Sequence, residues 1–387
     1  MTVIMEKREL PVVACSISNR FGAGFEESKI KGIAHFIEHL VFTGTKTRTH
    51  EDISREIEKK GGILNAFTGN EITSFWFKLP SEHIFAGLDI LSDLLINPTF
   101  QINKFEKEKK VIIEEIKMYH DDPARFVYDL IVENLYEKPF GEGIIGTTEK
   151  ISRLKRDFVA GYFKENYASN NYVVTIVGNA DFEKVCEYLE NKFKPFMGNK
   201  GEIEIKKKHD FTIEERKGID QVHFVFGAHA PLLTDKDYYA LEVLNAYLAD
   251  GMSSKLFLKI REERGLAYAV RGTINAERKY SYYSIYVGTR KDAISEVQKL
   301  ILEGFSDIKN MTSQEFEEIK EQLIGLRKIS SEESARVMTE LLFSELASTA
   351  EEYYEHEKRI KAVSLEQVKN LAKKLVSEYS TAAIVPK

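Results

Sequence analysis

Near the amino terminus, three polar side chains interrupt an apolar stretch. In GIAHFIEHLVFTGT, which begins at Gly32, the residues His35, Glu38 and His39 stand among Ile, Ala, Phe, Leu and Val. Burying imidazoles and a carboxylate costs free energy unless each finds a partner. His35 and His39 are four residues apart, so on a helix they project from one face with Cβ atoms about 5–6 Å apart. Two imidazoles so placed can converge on one divalent ion at roughly 2.0–2.1 Å each. Glu38 borders the same face and can reach a water on that ion. The spacing H-x-x-E-H is an inverted form of the zinc peptidase signature. Two core histidines satisfied by hydrogen bonds are the plain alternative, and five residues do not decide between them.

A catalytic zinc takes three protein ligands and keeps a fourth position open. The helical stretch KFEKEKKVIIEEIKMYH, from Lys104, offers several glutamates. Glu114 has Lys110 one turn before it and Lys117 one turn after, which marks a solvated, ion-paired face. Glu115 has Val111, Ile112, Met118 and Tyr119 as neighbours. A carboxylate there needs a strong partner, either a zinc ion or a Lys or Arg from elsewhere. Glu108 lies two turns before Glu115 on the same face, where it can support a ligand from behind. His50 is placed to cap the helix it begins. His83, His120, His209, His223, His229 and His356 show no ligand-like spacing, and neither a Gly-rich phosphate loop nor a Ser or Cys nucleophile motif is present.

These residues need elements to hold them. VVACSISNRFGAG reads as a strand and turn, KGIAHFIEHLVFTG as a buried helix, and HEDISREIEKKGG as a surface helix stopped by Gly61 and Gly62. ILNAFTGNEITSFWFKLP reads as a hairpin turning at Gly69-Asn70. Helices follow near 81–96, 104–120, 124–136 and 149–165, then a strand at 171–179 and a helix to about 193. The charged, glycine-containing MGNKGEIEIKKKHD has no helical period. It places a zinc-site domain at 1–200, a linker at 201–210 and a second domain at 211–387. The second half repeats the first: TSFWFKLPSEHIFAGLDILSDLL matches the pattern of YSIYVGTRKDAISEVQKLIL at an offset of 208, and the closing NYVVTIVGN matches STAAIVPK. The fold class is therefore α+β: two homologous domains, each an antiparallel or mixed sheet packed with helices. At that offset the three polar positions fall near Val243, Ala246 and Tyr247, so only the first copy carries the chemistry.

Composition narrows the function classes. The 387 residues are 43% hydrophobic with a net charge of −6, and acids and bases are interspersed. No basic stripe points to nucleic acid. Cys15 and Cys186 are the only cysteines, which argues against a disulfide framework and against a Cys-based zinc site. MTVIMEKRELPVV lacks the apolar core of a signal peptide, and no apolar stretch of about 18 residues could span a bilayer. A soluble, cytoplasmic protein is the expectation.

The segments GIAHFIEHLVFTGT, NAFTGNEITSFWF and KEKKVIIEEIKM, together with PFGEGIIGTTEKI and NYVVTIVGN, resemble the pitrilysin/insulinase family of zinc metallopeptidases, which includes the mitochondrial processing peptidases. The resemblance implies one zinc per chain on His35, His39 and Glu115, Glu38 as general base and Glu108 as a further acid. It also implies a substrate-binding Arg and Tyr seven residues apart, matched here by Arg261 and Tyr268 in GMSSKLFLKIREERGLAYAV. A phenol aimed at the developing oxyanion would stabilise the transition state; a helix-end Arg and a packed Tyr are the plain alternative. Extended peptide would add as a strand at NAFT, on Asn65, Ala66 and Phe67. Longer members fuse two such units, so a single unit implies a dimer, with itself or with a related subunit, in which Arg261 and Tyr268 of one chain complete the zinc site of the other. The function implied is endopeptidase activity on short or unfolded peptides. A non-catalytic or partner-dependent subunit of a heterodimeric processing peptidase is the alternative.

Overall fold

The computed structural model describes residues 1–199 and 201–387. Its first sheet is built from β1 (Thr2–Lys7), β2 (Val12–Asn19), β3 (Ile63–Thr68), β4 (Thr73–Pro80) and β5 (Tyr172–Gly178), in the order β1-β5-β2-β4-β3. β1 runs parallel to β5 and the other pairs are antiparallel. β2 and β5 are buried along almost their whole length, as central strands of a covered sheet are. The helices of the first half are α1 (Ile33–Val41), α2 (His50–Glu58), α3 (Ile84–Ile96), α4 (Ile102–Asp121), α5 (Pro123–Leu135), α6 (Thr148–Arg153), α7 (Arg156–Asn166) and α8 (Phe182–Lys192).

Local chemistry sets several boundaries. α2 begins on a capping box between Thr49 and Asp52, so Thr49 rather than His50 is the cap. It ends as its glycines predict: Gly61 has φ +72° and the Gly62 N–H returns to the Ile57 carbonyl. The β3–β4 hairpin closes through a Gly69 N–H to Ile72 carbonyl bond of 2.8 Å, with Thr68 opposite Thr73. The helix expected over 149–165 is two helices. Leu154 and Lys155 are extended, and Lys109 of α4 donates to the Ser152 and Leu154 carbonyls, which satisfies the end of α6.

The second sheet repeats the first. β6 (Phe211–Arg216), β7 (Val222–His229), β8 (Ala267–Ala276), β9 (Ser281–Thr289) and β10 (Ser380–Pro386) pair in the order β6-β10-β7-β9-β8, with β6 parallel to β10. The helices are α9 (Tyr238–Leu248), α10 (Ile294–Asp307), α11 (Ser313–Ser330), α12 (Ser334–Ala347), α13 (His356–Ala362) and α14 (Leu365–Ser377), with a π-helical turn at Phe257–Glu262. α9 takes the sequence position of α1; Val243, Ala246 and Tyr247 are all buried, Val243 and Tyr247 in the core of its unit. The chain is thus an α+β protein of two sheet-and-helix domains.

The units are not contiguous halves. One comprises Met1–Met118, Glu142–Glu204 and Ser330–Leu346; the other comprises Tyr119–Gly141, Ile205–Ile329 and Ala347–Lys387. This division differs from a cut at 201–210 by one helix in each direction. α5 lies with the second sheet, where Asn134 Nδ2 donates to the Thr381 carbonyl and Tyr136 Oη to the Ser281 carbonyl. α12 lies with the first sheet, where Leu342 and Leu346 are buried with Ile72 and Val173. Among the described residues no helix is long and apolar enough to cross a membrane.

Candidate metal centre

α1 buries Ile33, Ala34, Phe36, Ile37, Leu40 and Val41 and leaves its three polar residues on the remaining side. Each large apolar side chain so buried contributes about 1.5–3 kcal/mol, which sets the helix's rotation. Phe36 packs on Phe105 of α4, their ring centroids 5.0 Å apart. With Phe105 and Ile112 buried, α4 presents Glu108 and Glu115 from one face toward α1.

The side chains converge. His35 Nε2 lies 3.9 Å from Glu115 Oε1, and His39 Nε2 lies 3.5 Å from Glu115 Oε2. One donor atom from each of His35, His39 and Glu115 lies within 4.8 Å of the others, the only such group of three among the described residues. These separations are too long for good hydrogen bonds. They are somewhat longer than the roughly 3.3 Å between ligand atoms about 2 Å from a shared tetrahedral ion, so the three groups stand slightly open around a common point. Glu115 Oε2 and His35 Nδ1 are buried without a hydrogen-bond partner among the described residues. No Lys or Arg pairs with Glu115 among the described residues, whereas Glu114 is exposed and bonded to Lys117 at 2.8 Å. A carboxylate set between two imidazoles, with a buried oxygen that makes no hydrogen bond, is a cost that a cation removes. The donor set therefore fits zinc.

The surroundings tune each group. His39 Nδ1–H donates to Glu108 Oε1 at 3.1 Å, which fixes the tautomer and leaves Nε2 with a free lone pair. Burial, aided by the neighbouring His39, pushes the His35 pKa down to about 3, so its ring is neutral. Burial also opposes charge on His39, but the Glu108 hydrogen bond and the charges of Glu115 and Glu38 outweigh it and raise its pKa. For Glu38, burial raises the carboxyl pKa and Glu115 adds to the effect, against opposing pulls from Thr68 and His39. A carboxylate raised in this way is suited to taking up a proton near neutral pH.

Thr68 went unnoticed in the sequence. At the end of β3 it donates from Oγ1 to Glu38 Oε2 at 2.5 Å. Its position next to Asn65, Ala66 and Phe67 was the available signal. Those three lie on β3, which among the described residues pairs only with β4 and so has an outer edge without a strand partner. Asn65 folds its Oδ1 onto the Ala66 N–H, and the Phe67 ring stacks on Phe343.

In the second unit, Arg261 lies on the π-helical turn and Tyr268 at a register shift of β8, both settings common at functional sites. The Arg261 guanidinium sits 4.8 Å from the Phe257 ring centroid and 5.3 Å from that of Tyr268. Tyr268 is 77% exposed rather than packed. The two residues are therefore paired with each other and open to solvent.

Two family models match successive stretches of the chain. Residues 2–148 match the family model described as insulinase (peptidase family M16), and residues 153–323 match the one described as the peptidase M16 inactive domain. An uncharacterized zinc protease of Bacillus subtilis, YmxG, is 33% identical over 380 residues, covering 94% of this chain and 91% of the relative. Among solved structures, a protease from Helicobacter pylori superposes with a TM-score of 0.93 at 19% identity, covering 99% of this chain and 96% of that one. A chain of Complex III2 from Candida albicans superposes with a TM-score of 0.85 at 16% identity, covering 99% and 93%.

Proposed function

The chain belongs to the insulinase family, peptidase family M16, and from that premise we propose that it is an endopeptidase that holds one zinc ion on His35, His39 and Glu115 and cleaves short or unfolded peptides. The observation that carries this is the Glu115 carboxylate set between two imidazoles, Oε1 toward His35 and the buried, unpartnered Oε2 toward His39.

Bound zinc supplies Lewis acidity, polarising the scissile carbonyl and acidifying water. Glu38 takes the proton of the attacking water on Oε1, because Oε2 is held by Thr68; it then passes that proton to the leaving amine. Glu108 holds the His39 ring in place through Nδ1. The outer edge of β3 at Asn65, Ala66 and Phe67 receives the substrate as an added strand. Arg261 stacks on Tyr268 and orients its phenol, which donates to the developing oxyanion. The active form is a homodimer in which Arg261 and Tyr268 of one chain serve the metal centre of the other, and the compartment is the cytoplasm.

The test is a peptide-library digest of purified protein, with zinc measured per chain. One zinc per chain is expected, with cleavage lost to chelator and restored by zinc. Glu38→Gln should keep the zinc and abolish cleavage; cleavage by this variant at the wild-type rate overturns the assignment. The second reading, a non-catalytic or partner-dependent subunit of a heterodimeric processing peptidase, is supported by the same fold in Complex III2. The complete ligand set argues for the first reading.

A further inference from the structure

The ligand helix α1 starts on a carboxylate that the chemistry above does not use. Glu26 is 1% exposed, and each of its oxygens accepts one backbone N–H. Oε2 accepts from Gly32 at 2.9 Å and Oε1 from Ala34 at 2.6 Å. These are among the N–H groups that a helix start leaves without partners. Ordinarily the N-cap side chain would accept such a bond. Here the N-cap is Gly32, at φ +101°, and a Cβ on it would stand 2.6 Å from the Ile145 carbonyl oxygen. A Ser, Thr or Asp cap is therefore excluded by sterics, and the acceptor must come from another segment.

That segment is itself fixed. The Glu26 N–H donates to the Ala23 carbonyl at 3.3 Å, and the fully buried Lys31 sends its ammonium to the same carbonyl at 2.7 Å. Behind it, Gly24 N–H donates to the Asn70 carbonyl at 2.8 Å. The residue after Ala34 is His35. A carboxylate gripping Gly32 and Ala34 sets the rotation and axial position of the turn from which His35 projects, while Glu115 comes from α4.

We infer that Glu26 is a positioning residue for the metal centre, holding His35 where its imidazole and the Glu115 carboxylate share one ion. The inference rests on the zinc reading above. The experiment measures zinc affinity by chelator competition at pH 8, the thermal midpoint of the zinc-free protein, and the visible absorption of the Co2+-loaded protein. Glu26→Gln keeps one acceptor oxygen but sets an amide donor against the second N–H. It should bind zinc about 10–100-fold more weakly, on the scale of losing a group that orients a ligand, and its Co2+ bands should shift as the ligand field changes. Glu26→Asp, one methylene short, should give a smaller loss in the same direction and serves if the Gln variant does not fold. A core truncation on α8, Val185→Ala, should lower the midpoint and leave zinc affinity unchanged. Wild-type zinc affinity and Co2+ spectrum in the folded Glu26 variant overturn the inference, as does an equal zinc loss in Val185→Ala. Wild-type protein that binds no zinc overturns the metal reading instead.

Discussion

The proposed mechanism gives the two oxygens of Glu38 different tasks, and that assignment depends on a threonine 30 residues away. If Thr68 orients the base, Thr68→Val should lower kcat about 10-fold, a fraction of the 10²–10⁴ that a general base contributes. Zinc content should be unchanged, and Thr68→Ser should restore the rate. Equal rates for Val and Ser would show the hydroxyl to be idle. Glu108→Ala removes the acceptor on His39 Nδ1 and should weaken zinc binding about 10–100-fold in a chelator competition. The choice of Glu115 over Glu114 was legible because helical periodicity sorts neighbouring carboxylates by face, and the structure leaves one exposed and ion-paired and the other beside two imidazoles. Glu26 was not legible, because its role exists only once separate segments meet; for Thr68 the one signal was its place beside Asn65, Ala66 and Phe67, and its contact with Glu38 likewise forms only when β3 meets α1.

At the scale of elements, glycines separate positions the fold requires from positions it merely tolerates. Gly32 combines φ +101° with a backbone oxygen 2.6 Å from any added Cβ. Gly32→Ala should cost about 3 kcal/mol or more, seen as a lower midpoint in denaturant. Gly161, inside α7, has nothing within 4 Å of an added Cβ. Gly161→Ala should stabilise by about 0.4–1 kcal/mol. If both shifts have the same sign, the account of α1's start is wrong. The hairpin and the end of α2 were readable because Gly69, Gly61 and Gly62 act locally. The break between α6 and α7 was hidden: no Gly or Pro marks it, and the lysine that satisfies it comes from α4.

Over the whole molecule, the repeat was legible from its offset of 208, since β5 (Tyr172–Gly178) and β10 (Ser380–Pro386) differ by that number at both ends. The transfer of α5 and α12 was not, because a helix's own pattern shows that it has an apolar face and not which sheet will cover it. Acid should test both units. In zinc-free protein, burial pushes the pKa of His35 down to about 3 and that of His229 down to about 4. Unfolded histidine titrates near 6.5, so between these values the unfolded chain binds protons that the folded chain refuses. The stability these two histidines contribute is held above about pH 6.5 and lost as pH falls toward 4. Burial raises the carboxyl pKa of Glu26 to about 7 and that of Asp129 to about 6; these groups take up protons in the folded state over the same range and act in the opposite direction. The test is therefore a difference: from pH 7 to pH 5 the midpoint of His229→Gln should fall less, or rise more, than that of wild type, and equal changes would contradict the assignment. Division of labour between the copies makes a last prediction. Glu38→Gln keeps Arg261 and Tyr268, whereas Tyr268→Phe keeps the metal centre and should lose about 10²-fold in kcat, the scale of one oxyanion donor. If two chains complete each other's site, equal mixing and exchange make half the dimers mixed, each with one intact site, and activity should recover to about one quarter of wild type. If one chain supplies both parts of its own site, every site in the mixture carries a defect and mixing recovers nothing.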